Sequence, residues 1–175
     1  MTPERPWAAP STPYVLAILR ILYGVLWLQQ AKWKVPPDFG LASKGGLFYW
    51  TNEMVKYSFL SPHRFFVESV VLPNFLLFAW LTLVTEVFIG FSHLLGLVSR
   101  LGALAAFAMS ANLLVGLARH PGEWPWSYVM LLGYALLFLG AHPGRVLGMD
   151  GWLSRRLNAP ALAHRSWARA LGFLT

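Results

Sequence analysis

Between Arg100 and Arg119 the chain runs 18 residues, LGALAAFAMSANLLVGLA, without a charge, and between Pro125 and Pro143 another 17, WSYVMLLGYALLFLGAH. As helices at 1.5 Å per residue these stretches reach about 27 and 26 Å, just enough to cross the hydrocarbon of a bilayer. Two apolar runs precede them. YVLAILRILYGVLWLQQAKW occupies about 14–33, and NFLLFAWLTLVTEVFIGFSHLLGLV about 74–98. Pro73 opens the latter and suits a first helical turn, where its missing N–H costs nothing. Composition agrees, with 57% hydrophobic and 12% charged residues, where a soluble domain carries roughly 25% charged. The predicted fold is therefore all-α: an integral membrane four-helix bundle forming one transmembrane domain, with spans at about 14–33, 74–98, 101–118 and 126–142. The first run is read as a span and not a cleavable signal, because Arg20 interrupts it, Gln29, Gln30 and Lys32 close it, and no small-residue cleavage site follows.

Two further segments, about 47–72 and 161–174, are expected to lie in the interface instead of crossing. In the first, LFYWTNEMVKYSFL places Asn52, Glu53 and Lys56 on one helical face, and Ser61 with Pro62 opens a second amphipathic helix, HRFFVESVVL. A loop this apolar is expected to cap the outer end of the bundle. In the second, Ala163, Trp167, Ala170, Leu171 and Leu174 share a face opposite Arg165 and Arg169, the pattern of a basic helix on anionic lipid. Trp33, Trp50, Trp124 and Trp126 mark one interface, and Trp7, Trp152 and Trp167 the other.

The net charge of +7 comes from residues at the ends of apolar runs, which points to membrane lipid and away from nucleic acid. Four crossings put both termini on one side. Seven Lys and Arg flank that side and six the other; the Arg cluster after the last span favours cytoplasmic termini in a bacterial or archaeal cell membrane. There is no cysteine, which excludes disulfides, persulfide carriage, thiolate catalysis and Cys-ligated metals. No His/Asp/Glu cluster has metal-ligand spacing, so no metal is predicted.

Charges inside a span are costly, so those present carry information. Arg20 lies about 9 Å and Glu86 about 18 Å from the terminus side of their spans, a difference the long guanidinium stem bridges. An Arg20 to Glu86 ion pair is expected, either as a structural clasp or as a proton or ligand site. His93 falls two turns after Glu86 on the same face, Asn112 near the middle of the third span and Tyr134 near the middle of the fourth. If these faces converge, Arg20, Glu86, His93, Asn112 and Tyr134 make a quinone or proton site able to hydrogen-bond quinone carbonyls. The structural alternatives are an interhelical hydrogen bond for Asn112 and a core phenol for Tyr134. His93 and His142 fall at similar depth, the minimum for bis-His ligation, but with no attachment motif and no second pair haem is not expected. His63, His120 and His164 read as solvated.

RILYGVLWLQQAK, with Arg20, Gly24 and Lys32, EVFIGFSHLLGLVSR, with Glu86, Gly90, Gly96 and Arg100, and GAHPGRVLGMDGWL, with Gly144, Arg145, Gly148 and Asp150, together resemble the DoxX/DoxD group of small four-helix membrane proteins over about residues 15–153. The loop beginning KWKVPPDFG is longer than the minimal family pattern, which implies an extra docking surface. The resemblance implies a membrane redox system. DoxD-like chains are subunits of thiosulfate:quinone oxidoreductase, and DoxX-like chains are linked to responses to oxidative and thiol stress. Quinone is then the implied cofactor, and Lys32, Lys34 and Lys44 are candidates to attract an anion such as thiosulfate, with interfacial anchoring the simpler role.

Two functions stand at this point. One is a quinone-linked oxidoreductase subunit, in which electrons come through a bound cofactor or a partner subunit, since the chain supplies no redox group of its own. The other is a non-catalytic accessory subunit that braces or seals a larger respiratory or photosynthetic complex. A transporter trails both, because four spans without a repeat leave little room for alternating access.

Overall fold

The computed structural model describes residues 11–157 and Gly172. The described residues are helical, with no strand among them. The helices are α1 (Thr12–Lys32), α2 (Gly46–Tyr57), α3 (Ser61–Phe66), α4 (Phe75–Leu95), α5 (Ser99–Leu117), α6 (Pro125–Ala141) and α7 (Asp150–Leu157); a π-helical turn (Val67–Val71) extends α3 and a 3-10 turn (Pro143–Arg145) follows α6. Three helices, α1, α4 and α5, are long and apolar enough to cross a membrane, and α6 is an apolar helix of 17 residues. The segment expected to be interfacial at 161–174 lies outside the described residues apart from Gly172.

Helix ends depart from the sequence expectation where backbone geometry intervenes. The second apolar run is helical only to Leu95, because Gly96 takes the left-handed conformation at φ 61° and its N–H closes onto the Ser92 carbonyl. After a three-residue turn α5 begins at Ser99, so α4 and α5 run antiparallel.

Helices α1 and α4 pack as one pair and α5 and α6 as another, while α1 touches α6 only lightly. Tyr23 and Trp27 of α1, Ile89 of α4, Ala103 and Ala106 of α5, and Ala135 and Phe138 of α6 form the main core. The register of the first pair is set at Gly24, where a Cβ would stand 2.7 Å from the Gly90 carbonyl oxygen and 2.7 Å from Leu94 N. Only glycine admits so close a crossing. On the far side of α4, Phe39 from the loop after α1 joins Phe75 and Ala79 in a second cluster, with edge-on contacts from Phe39 to Trp80 and from Phe48 to Phe75 at 5.2 and 5.0 Å.

That crossing overturns the expected Arg20 to Glu86 pair. It places Arg20 level with His93 and Leu94, seven and eight residues or about 11–12 Å along α4 from Glu86. Arg20 instead caps the C-terminal end of α4. Its Nη1 donates to the His93 carbonyl and, at 3.4 Å, to that of Leu94, and its Nη2 donates to the Leu147 carbonyl at 2.8 Å. A guanidinium satisfies orphan carbonyls and complements the negative end of the helix dipole.

The N-terminal end of α5 is closed by the opposite charge. Asp150, wholly buried, accepts from Val98 N at 2.7 Å through Oδ1, and from Ser99 N at 2.9 Å and Ser99 Oγ at 2.6 Å through Oδ2. Its own N–H donates to the Gly96 carbonyl at 2.7 Å. These bonds hold Val98 at φ 45°, a conformation costly for a β-branched residue. The glycines of GAHPGRVLGMDGWL are explained by this clamp: a Cβ at Gly144 would collide with the Asp150 carboxylate, and one at Gly148 would stand 3.0 Å from the Gly96 Cα.

Asp150→Ala leaves two backbone N–H groups and a hydroxyl buried without an acceptor, and is expected to cost about 3 kcal/mol. Asp150→Asn, which keeps one acceptor oxygen, is expected to cost less. Thermal unfolding of the detergent-solubilised chain measures both, and an unchanged midpoint for Asp150→Ala would refute the clamp.

Candidate functional site

The half of the molecule away from this clamp holds a cavity of about 770 Å³ between the two helix pairs, walled by α1, α4, α5 and α6 and covered by α2 and the π-helical turn. Its lining is mostly apolar. The exceptions group at two places. On the α1 and α4 side, Lys34 Nζ stands 2.7 Å from Glu86 Oε2, both side chains being 4% exposed. Lys34 Nζ also donates to the Gln30 carbonyl at 2.9 Å. Its approach to Glu86 is ionic and off the hydrogen-bonding direction, so Oε2 lacks a well-aligned donor. Among the described residues nothing accepts from the Trp27 indole Nε1 on the same wall.

Lys34 thus occupies the place expected for Arg20. It falls seven residues after Trp27 on the buried stripe Ala17, Arg20, Tyr23, Gly24, Trp27, Ala31. This helical spacing was readable in the sequence. A lysine one step past the end of an apolar run reads as an interfacial anchor, but the chain turns there, with Lys34 N donating to the Ala31 carbonyl, and directs the side chain inward. Lys32 and Lys44 remain exposed.

On the α5 and α6 side the lining includes Asn112 and Tyr134. Asn112 Oδ1 lies 3.0 Å from His63 Nε2, and His63 Nδ1 lies 3.0 Å from Ser58 Oγ. The Tyr134 ring stacks on Phe138 at 6.2 Å. At the cavity mouth Tyr128 donates its hydroxyl to Glu123 Oε2 at 2.6 Å.

Of the five residues proposed from sequence for one site, Glu86, Asn112 and Tyr134 line this cavity, and Arg20 and His93 do not. His93 is buried in the packed half, with Nδ1 2.8 Å from the Ile89 carbonyl and its ring edge-on to Tyr23 at 5.1 Å. His142 takes the left-handed conformation after α6, and Arg100 Nη1 donates to its Nε2 at 3.1 Å. Burial, followed by the Arg100 charge, holds the His142 imidazole below its usual range.

Two histidines read as solvated are not. His63 is half-buried behind Asn112. His120 is held between the rings of Trp50 and Tyr57 at 5.1 and 4.9 Å, with Nε2 3.4 Å from Glu53 Oε2. Because Gly122 N–H donates to His120 Nδ1 at 3.1 Å, the ring carries its proton on Nε2, toward Glu53. Glu53 is itself buried and lies 2.5 Å from Lys56, whose ammonium it holds above the usual lysine range. These contacts tie α2 to the connection between α5 and α6.

The Lys34 and Glu86 pair, the glycine crossing and the Asp150 clamp lie within a segment that matches the family described as TQO small subunit DoxD, over residues 15–168. The chain belongs to the DoxD family. With its three apolar helices this makes it a membrane protein. No curated protein and no solved structure matches the chain.

In this DoxD-family chain, Lys34→Met or Glu86→Leu alone strands a buried charge and is expected to cost about 3–5 kcal/mol, whereas the double substitution should be close to neutral. A double-mutant cycle on thermal unfolding measures the difference; additive losses would show that the two charges are not coupled.

Proposed function

We propose that this chain is the membrane subunit of a thiosulfate:quinone oxidoreductase-like complex and that the cavity beside Lys34 and Glu86 takes the quinone. The observation that carries this reading is how the cavity opens. Leu26, Leu81, Trp126 and Met130 line it and are 48%, 51%, 57% and 47% exposed, so this apolar edge of the cavity is not sealed by neighbouring helices. A ligand therefore enters sideways between helices, through an apolar rim facing the bilayer, as a lipid-soluble quinone requires. The polar end of the cavity has no net charge, because Lys34 and Glu86 neutralise each other, which favours a neutral ring over a dianion.

The residues present suit quinone reduction. The Lys34 ammonium would hold a ring oxygen and would stabilise negative charge developing there on reduction. Glu86 keeps that ammonium charged in an apolar surround and offers a carboxylate for proton exchange. Electrons come from a donor on a partner subunit, because a chain without cysteine has no thiol to oxidise. Exposed Lys32 and Lys44 would draw an anionic donor to that partner's side.

We further read α6 as a fourth span, which puts both termini on one face. The Arg145, Arg155 and Arg156 cluster supports reading that face as the cytoplasmic one of a bacterial or archaeal cell.

A short-chain ubiquinone titrated into the chain in lipid nanodiscs is expected to quench fluorescence of the lining tryptophans Trp27, Trp33, Trp50 and Trp126 saturably. Lys34→Met is expected to weaken binding about tenfold, the equivalent of one charge-assisted hydrogen bond. Thiosulfate should not compete. Quenching no greater than in empty nanodiscs would reject the quinone site and favour the accessory-subunit reading.

A further inference from the structure

Asn112 sits on the cavity wall supplied by α5, while Lys34 and Glu86 belong to the wall formed by α1 and α4. A side-chain carbonyl can only accept, so the contact between Asn112 Oδ1 and His63 Nε2 makes that ring nitrogen the donor. His63 Nδ1 then accepts at 3.0 Å from the hydroxyl of Ser58, a residue 2% exposed whose one hydrogen is shared with the Leu60 carbonyl at 3.2 Å. With its oxygen turned to His63, the amide group of Asn112 directs its N–H2 elsewhere, and no described residue accepts from that nitrogen.

The arrangement is built and not incidental. Gly116, one turn beyond Asn112 on α5, makes the room for His63: a Cβ there would stand 3.2 Å from His63 Cε1 and 2.8 Å from Met54 Cγ. Ser58 is fixed from outside as well, since Arg64 Nη2 donates to its carbonyl at 3.2 Å. Three separate segments, the α2 to α3 connection, α3 and α5, thus converge to orient one amide.

We propose that Asn112 is the second pole of the quinone site. Its N–H2 donates to the ligand carbonyl oxygen remote from Lys34, and His63 and Ser58 are positioning residues that keep it in that orientation. This rests on the quinone reading of the cavity and adds how the ring is held. A quinone presents two acceptors on opposite edges of its ring and no donor. Donors from the two facing walls, an ammonium and a neutral amide, match that pattern and bind the two carbonyls unequally. The amide N–H2 cannot accept from a quinol hydroxyl, so this pole favours the oxidised ring over the product.

Infrared difference spectra of a short-chain ubiquinone, carrying 13C at one or the other carbonyl carbon and bound to the full chain in nanodiscs, test this directly. In the wild type both carbonyl bands should fall below their free-quinone positions, by unequal amounts. Asn112→Leu should return one band to its free position and weaken binding about five- to tenfold. Asn112→Asp, equal in size but without a donor, should do the same, which separates lost donation from lost packing. His63→Leu should shift that same band, and His63→Gln, whose amide N–H2 can still donate to Asn112, should restore it. Wild-type binding with both bands and the affinity unaltered by Asn112→Leu and Asn112→Asp would overturn the proposal while leaving the quinone site standing. No carbonyl shift in the wild type would overturn the quinone reading itself.

Discussion

Arg20 and Asp150 grip the two sides of the turn between α4 and α5, and the rest of the molecule is arranged around that grip. Where two helices end together in apolar surroundings, the carbonyls of one and the N–H groups of the other have no water to turn to. A guanidinium on the α4 carbonyls and a carboxylate on the α5 N–H groups answer both needs, each charge facing the helix end of opposite polarity. Neither charge is therefore available to a ligand. The segment after α6 is drawn back over the turn because it carries Asp150 and the Leu147 carbonyl, and its glycines are what let it come so close.

With one end closed by small residues and buried charge, the space between the helix pairs is left at the other end. There the pairing of Lys34 with Glu86 produces a neutral polar spot in an apolar cavity, and a second polar spot, Asn112, is oriented from behind by His63 and Ser58. The segment between α1 and α4 is part of the site as well as a lid over it. Through Glu53 and His120 it is anchored to the connection before α6, which ties the cavity roof to the α5 to α6 side.

Much of this was legible beforehand, and the failures have a common cause. The apolar runs at 101–118 and 126–142 appear as α5 and α6 with ends displaced by only a residue or two, because the flanking charges and prolines bound them. Glu86 was recognisable as a functional candidate because a carboxylate within an apolar helix has to be compensated. Its partner was misread: the depth estimate already left about 9 Å between Arg20 and Glu86 for the guanidinium stem to bridge, and the Gly24 and Gly90 crossing sets the His93 and Leu94 carbonyls beside Arg20, where they take the guanidinium instead. His63 read as solvated because it sits in a short helix of polar and aromatic residues, and nothing local records that Gly116, 53 positions later, opens a place for it.

The sequence alone determined that the chain is helical and apolar enough for a membrane, which polar groups must be buried, and, through its glycine-centred motifs, its family. Those properties follow from composition and from periodicity along a single helix. Only the tertiary structure decided which buried charge meets which. Partnership depends on the axial register and rotation of one helix against another, and a single glycine contact sets both.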